Sequence, residues 1–128
     1  MKIIGNGVDI IENRRIKNSI KNKKFINRIF SNSEINDSKR INNKTNFFAK
    51  RFAAKEAFVK SIGTGFKYGI NFNDITVKNN KSGKPVLILN RKLKNLLKQR
   101  LNLKKYKINL SLADENKYSI AFVIINKI

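Results

Sequence analysis

Asp9 and Glu56 are two acidic residues in unexpectedly apolar sequence surroundings. Asp9 lies within GVDII, where a half-buried strand usually holds Val, Ile or Thr, and Glu56 lies within FAAKEAFVK. An ionised carboxylate in such surroundings is costly unless a cation or several hydrogen-bond donors compensate it. Two such groups together could bind a hard divalent cation such as Mg²⁺, whose remaining ligands are water and substrate phosphate.

Each of the two residues also has a simpler structural interpretation. Asp9 could cap the helix that follows it. Glu56 could form an i,i+4 ion pair with Lys60, worth about 0.2–0.5 kcal/mol on an exposed helix. The chain contains no His and no Cys. This composition excludes disulfides, argues against a zinc site and removes the commonest general base.

The chain is strongly basic, with 29 Lys and Arg residues against 8 Asp and Glu residues and a net charge of +21. Lys, Asn and Ile together supply 61 of the 128 residues, a bias that AT-rich codons would produce by themselves. The remaining inference is a positive field that attracts acidic partners. Because Lys greatly outnumbers Arg, we expect no nucleic-acid partner. No apolar stretch approaches the roughly 18 residues of a membrane span, so we expect no membrane partner and a cytoplasmic protein.

Hydrophobic periodicity predicts a single α+β domain over residues 1–128, with a mostly antiparallel sheet packed by a long central helix. The central helix should be capped by Thr45 or Asn46 and end at the glycines of GTG. The glycines of the first strand indicate that something approaches its backbone closely. We predict strands over 2–11, 75–77, 85–89, 108–112 and 118–125, and helices over 12–29 with a break near 21–24, from about 31, over 44–62 and over 91–101.

The predicted central helix is apolar or small around nearly its whole circumference, which indicates that it is largely buried. Arg51 and Lys55 fall inside its arc of aromatic residues. An unpaired buried charge would cost several kcal/mol, on the order of 3–5. The two cations must therefore pair, extend to solvent, or line a subunit interface or a ligand groove.

Four segments together resemble one enzyme family over essentially the whole chain. They are IIGNGVDIIE at the start, FFAKRFAAKEAFVKSIGTG in the middle, SGKP at 82–85 and LSLADENKYSIAFVII near the end. Their order and spacing are similar to those of the small 4′-phosphopantetheinyl transferases of the holo-[acyl-carrier-protein] synthase family. The resemblance implies the α+β fold of that family and a homotrimer with active sites between subunits, which would also account for Arg51 and Lys55.

The activity implied by the resemblance is transfer of the 4′-phosphopantetheine group of coenzyme A to a serine of apo acyl carrier protein. The reaction depends on Mg²⁺, releases adenosine 3′,5′-bisphosphate and serves fatty acid biosynthesis. Asp9 and Glu56 would be the magnesium ligands, and Glu56 and Lys60 the catalytic residues. In-line phosphoryl transfer needs positioning and charge stabilisation more than a protein nucleophile, so the lack of His and Cys is no obstacle.

The resemblance also implies two binding surfaces. In the coenzyme A site, the GTG segment is equally well explained as a helix stop. The Gly-Lys-Pro turn could likewise be a simple hairpin turn. Asp114 stands where some family members have His. The docking surface for the acidic carrier protein is alternatively a solvated basic face. The implied coenzyme A residues are Arg51, Lys60, Gly63, Gly65, Lys84, Pro85 and Asp114, and the implied docking residues are Arg15, Ile20, Lys21, Lys24 and Phe25.

Overall fold

The longest helix, α4 (Lys44–Ser61), packs against a three-stranded antiparallel sheet. The structure, a computed structural model, describes all residues 1–128. The strand order is β1-β5-β4, and the strands are β1 (Lys2–Glu12), β4 (Tyr106–Asp114) and β5 (Tyr118–Lys127). This architecture confirms the predicted α+β class and the predicted central helix.

The remaining elements surround α4 and follow the predicted order. The helices are α1 (Asn13–Ser19), α2 (Lys23–Ile29), α3 (Asn32–Ser38) and α5 (Arg91–Leu101), and a 3-10 turn (Phe72–Asp74) precedes β2 (Ile75–Asn79) and β3 (Pro85–Leu89). The predicted break in the first helical segment separates α1 from α2. A second sheet consists of β2 and β3 alone, which form a hairpin around residues 80–84.

The ends of the helices are fixed by side-chain caps and by glycine. Ser31 and Glu34 form a capping box at the start of α3, as the SNSEI pattern predicts. Asn43 caps α4, since its side chain accepts a hydrogen bond from the N–H of Asn46 at 3.1 Å. The predicted cap at Thr45 or Asn46 is therefore wrong. Gly63 adopts a φ of 75° just after α4, which confirms the glycine stop.

The close crossing of β1 over α4 depends on glycine. A Cβ added to Gly7 would overlap the carbonyl oxygen of Ala57, and one added to Gly5 would overlap that of Ser61. The helix backbone thus occupies the space that side chains would fill at these two positions. The structure confirms the expectation that something approaches this strand closely, and the partner is α4.

The hydrophobic core lies between α4 and the sheet and extends beneath the β2–β3 hairpin. Its 24 buried residues include four phenylalanines of α4 and the inward side chains of β5. Ala53, Ala54 and Ala57 of α4 are fully buried, as the apolar circumference of the helix predicts. No helix of the structure combines the length and the apolar character needed to cross a bilayer.

Candidate active site

Asp9 and Glu56 lie near each other at the crossing of β1 and α4. Burial, and then the charge of Asp9, raise the pKa of the Glu56 carboxyl above its ordinary value. The positive charges of Lys60 and Arg15 oppose this shift. The charge of Asp9 therefore acts on the ionisation of a residue 47 positions away in sequence, which indicates that the two carboxylates are close in space.

Lys60 connects α4 to Asp9 directly. Its ammonium nitrogen donates to Oδ1 of Asp9 at 3.1 Å and to the carbonyl oxygen of Val8 at 3.1 Å. The ion pair of Lys60 is therefore with Asp9 and not with Glu56 one turn earlier. Asp9 lies inside β1, and the residue that precedes α1 is Glu12, so the alternative of Asp9 as a helix cap is wrong.

The Asp9 and Glu56 carboxylates fit a hard divalent cation. Burial and the charge of Asp9 both disfavour the ionised form of Glu56, and a bound cation would offset both effects. The structure contains no group of three or more His, Cys, Asp or Glu side chains placed to hold a metal ion. Two protein carboxylates nevertheless match Mg²⁺, which keeps several waters and is commonly completed by substrate phosphate.

A cleft of about 380 Å³ brings together three of the seven residues expected to bind coenzyme A, namely Arg51, Pro85 and Asp114. Its lining includes Arg51 of α4, Gly83 and Pro85 of the hairpin, and Asp114 at the end of β4. Arg51 and Glu56 project about 140° apart around α4, because each helical residue advances about 100°. The carboxylate pair and this cleft therefore lie on different sides of one helix.

Asp114 is held in place by two neighbours from α4. Its Oδ2 accepts a hydrogen bond from the Asn46 side chain at 2.8 Å, and its Oδ1 lies 3.4 Å from the ammonium of Lys50. The carboxylate thus lies beside a cation and an amide at the mouth of the cleft. Asn46 and Lys50 line the same cleft, and the sequence did not predict either as a ligand-binding residue.

The other residues that were expected to bind coenzyme A do not line this cleft. Gly63 and Gly65 follow α4 near Lys60, and their N–H groups donate to the carbonyl oxygens of Lys60 and Val59. An anion bound to the N–H groups of Gly63 and Gly65 would have to share or break these hydrogen bonds. The backbone of Lys84 closes the hairpin turn onto Asn80, and its side chain is exposed. Roles for these three residues remain predictions.

Arg51 and Lys55 are both buried, but for different reasons. Arg51 packs its guanidinium 3.6 Å from the centroid of the Phe47 ring, and its Nε has no hydrogen-bond partner. Burial lowers the pKa of Arg51, which the charges of Glu34 and Asp37 oppose. Lys55 is fully buried and pairs with Glu34 at 2.6 Å within the same chain. Of the alternatives drawn from the sequence, pairing therefore accounts for Lys55.

The comparison with known protein families decides the assignment of this arrangement. A family model described as the 4′-phosphopantetheinyl transferase superfamily matches residues 5–123. The chain belongs to this superfamily. The identification confirms the resemblance found in the sequence.

Individual phosphopantetheinyl transferases match along nearly their full length. A holo-[acyl-carrier-protein] synthase of Pelagibacter ubique is 54% identical over 127 residues, which cover 99% of each chain. The crystal structure of the Neisseria meningitidis synthase matches with a TM-score of 0.89 at 33% identity, covering 98% of this chain and 99% of that one. The Bacillus anthracis synthase, solved in complex with coenzyme A (3′,5′-ADP), matches with a TM-score of 0.80 at 35% identity, covering 98% and 97%.

The five expected docking residues of this phosphopantetheinyl transferase lie on α1, on α2 and in the turn between them. Lys24 and Phe25 line a cleft of about 520 Å³ on α2, whereas Lys21 lines a separate polar cleft beside α1. Arg15 lies near enough to Glu56 to lower its pKa. Ile20 and Phe25 are partly buried and pack against the core, so only part of each side chain is available to a partner.

Two functional candidates were missed in the sequence of this transferase. Arg28 lines the cleft that also holds Lys24 and Phe25. Its position four residues after Lys24, on the same face of α2, was a usable signal. Glu34 is the buried partner of Lys55, and its role in the capping box concealed that second function.

Proposed function

We propose that the protein transfers the 4′-phosphopantetheine group of coenzyme A to a serine of apo acyl carrier protein. The main observation behind this proposal is that Asp9, Glu56 and Lys60 lie together at the crossing of β1 and α4. Relatives that match almost the whole chain are also holo-[acyl-carrier-protein] synthases. The proposal includes dependence on Mg²⁺, a cytoplasmic location and a role in fatty acid biosynthesis.

The chemistry is an in-line displacement at phosphorus. The serine Oγ forms a bond to the β-phosphorus of coenzyme A, and the bond from that phosphorus to the bridging oxygen breaks. Adenosine 3′,5′-bisphosphate leaves with the bridging oxygen. Magnesium, held by Asp9 and Glu56, would neutralise and orient the pyrophosphate.

Glu56 and Lys60 have distinct roles in the proposed reaction. Glu56 lies one helical turn before Lys60 on α4, and its carboxylate would accept the proton of the serine hydroxyl. The ammonium of Lys60 provides positive charge for the phosphoryl oxygens. Its hydrogen bond to Asp9 fixes that charge beside the carboxylate pair.

The cleft beside α4 is the proposed site for the nucleotide end of coenzyme A. Arg51 brings a buried guanidinium whose Nε is free of protein partners, and Lys50 adds a second cation to the lining. Gly83 and Pro85 of the hairpin turn line one wall of the cleft. The exposed side chain of Lys84, next to them, would bind phosphate from outside the cleft.

The carrier protein is proposed to dock on α1 and α2. Arg15, Lys21 and Lys24 present positive charge there, which would steer an acidic partner towards the carboxylate pair. Arg15 lies closest to the reacting groups, since its charge acts on Glu56. Partly exposed Ile20 and Phe25 would add apolar contacts that fix the orientation of the complex.

The outer face of the main sheet supports a homotrimer. Val8 and Ile10 of β1 pair with Phe122 and Ile120 of β5, and these four side chains are 38–59% exposed. Contiguous exposed apolar groups of this kind favour contact with another protein surface. We propose that copies of the chain associate through this face, which would place the carboxylate pair of one copy beside the nucleotide cleft of a neighbour.

The mass of the carrier protein tests the proposed transfer. The protein is incubated with coenzyme A, Mg²⁺ and apo acyl carrier protein, and the carrier is then weighed by intact-mass spectrometry. We expect a gain equal to one phosphopantetheine group and no gain on a carrier whose acceptor serine is replaced by alanine. An unchanged mass for the intact carrier would contradict the proposal.

A further inference from the structure

The ammonium of Lys55 is surrounded by acceptors from several separate segments. It donates to Oε1 of Glu34 at 2.6 Å, and to the carbonyl oxygens of Ile29 at 2.8 Å, Phe72 at 3.2 Å and Ile75 at 2.7 Å. An ammonium has three N–H donors, so four acceptors use all of them. Lys55 therefore joins α4 to the end of α2, the 3-10 turn and β2.

Glu34 completes this network from the other side. Its Oε1 accepts from the Ser31 N–H at 2.9 Å, and its Oε2 accepts from the N–H of Val77 at 3.0 Å. Both members of the Glu34–Lys55 pair are completely buried. Together they bind two backbone groups of β2, the carbonyl of Ile75 and the N–H of Val77.

These hydrogen bonds matter because β2 has few other polar connections to the rest of the molecule. The β2–β3 hairpin forms a sheet of its own and is not hydrogen-bonded to the main sheet. Its turn carries Gly83 and Pro85, which form one wall of the nucleotide cleft. Arg51, on the opposite wall, is one helical turn before Lys55 on the same face of α4.

A buried ion pair of this kind is a poor source of stability, because desolvation offsets most of the attraction between the charges. Apolar side chains of similar volume could replace the attraction between the two charges with little loss of stability. They could not bind the carbonyl of Ile75 or the N–H of Val77. The pair therefore does something that apolar packing would not do, which is to fix the position of β2 relative to α4.

We infer that Lys55 and Glu34 are positioning residues that hold the two walls of the coenzyme A cleft at their working separation. The inference rests on the proposed function, since it assigns the ligand of the cleft from it. Neither residue lines the cleft, and both act through Arg51 and the 83–85 turn.

The double variant Lys55→Met/Glu34→Met tests the inference by removing the pair without leaving a buried charge. Coenzyme A affinity is measured by calorimetry, and KM values for coenzyme A and carrier protein by the transfer assay. We expect the melting temperature to fall, because the buried carbonyl of Ile75 and the N–H of Val77 lose their side-chain partners. Because a small displacement of a wall misplaces the ligand, we expect the dissociation constant and KM of coenzyme A to rise about tenfold or more.

A matched control separates positioning from general loss of stability. Leu97→Ala removes a fully buried side chain of α5, which does not line the cleft. We expect it to lower the melting temperature but to leave coenzyme A affinity unchanged, and the double variant to keep the wild-type KM for carrier protein. A folded double variant with wild-type coenzyme A affinity, or an equal loss in Leu97→Ala, would overturn the inference.

Two other outcomes can be distinguished from these: an unfolded double variant and an inactive wild type. If the double variant does not fold, Lys55→Gln/Glu34→Gln decides, because it removes both charges and leaves polar side chains in the site. Weakened coenzyme A binding supports the inference, and unchanged binding overturns it. If the wild type itself neither binds coenzyme A nor modifies the carrier, the proposed function is wrong and the inference falls with it.

Discussion

Gly7 lies so close to Ala57 that a Cβ at residue 7 would overlap the carbonyl oxygen of residue 57. Asp9 is two residues after Gly7 on the same face of β1, and Glu56 is the residue before Ala57. The close approach of the two backbones therefore brings the two carboxylates together. A feature of packing determines the geometry of the proposed chemistry.

Gly7→Ala should destabilise the fold and impair the carboxylate pair together. The added methyl group forces β1 away from α4, and overpacking of this kind costs about 1–3 kcal/mol of the free energy of unfolding. Urea unfolding measures that loss, and Mg²⁺-dependent transfer by the remaining folded protein should also fall. Asn6→Ala, at an exposed position of the same strand, is the control and should change neither quantity. A Gly7→Ala variant with wild-type stability would show that the strand and helix are not in tight contact.

Asp74 should contribute stability that depends on pH. Burial opposes its ionisation, but hydrogen bonds from Lys92, the Asn71 N–H and Asn90 outweigh burial and lower the pKa of Asp74 below its ordinary value of 3.8. The stabilisation is present above pH 3.8 and is lost as pH falls through the lower folded-state pKa. Asp74→Asn should therefore lose about 1.5–3 kcal/mol at pH 7, since its partners include a charged group.

The check on Asp74 is denaturant unfolding of both proteins from pH 7 to pH 2. The difference in free energy between wild type and variant should shrink as pH falls below 3.8. A constant difference across this range would indicate that Asp74 acts by packing and not by its charge.

Reversal of charge on α2 and the preceding turn should weaken carrier-protein docking. Lys21→Glu and Lys24→Glu replace attraction of an acidic partner by repulsion, so KM for the carrier should rise about tenfold or more and depend less on salt. Lys98→Glu, at an exposed position of α5, is the control. A change confined to the KM of coenzyme A would contradict the docking role.

Ile120→Asp should abolish the proposed trimer without unfolding the chain. Ile120 is 38% exposed and pairs with Ile10 and Ala113 on the outer face of the sheet. A charge there would be desolvated by association, which disfavours the assembly. Light scattering should show a mass three times that of the chain for the wild type and a single-chain mass for the variant. Ile88→Asp, at an exposed apolar position of β3, should keep the wild-type mass, and a wild-type protein that is monomeric would refute the trimer.

Local sequence signals predicted most of the fold, because each is set by neighbouring residues. The segment KIIGNGVDII predicted β1, and the glycines after Ile62 marked the end of α4. The cap of α4 was missed because Asn43, Thr45 and Asn46 are all good capping residues, and only the backbone conformation selects Asn43.

Long-range relations were less accessible from the sequence. The apolar surroundings of Asp9 and Glu56 suggested a shared role, and the structure brings them together. By contrast, nothing local shows that Lys55 pairs with Glu34, because that contact depends on how α3 packs against α4. The charge of Lys55 indicated that a partner must exist but not which residue it is.

Magnesium titration of the transfer rate in Asp9→Asn and Glu56→Gln tests the central claim most directly. Each variant keeps the size of the side chain and removes one candidate ligand charge. We predict that both fold like the wild type and that kcat/KM falls by at least about 1,000-fold, which corresponds to several kcal/mol of lost transition-state stabilisation. Wild-type turnover at ordinary magnesium concentrations in either variant would contradict the proposed cation site.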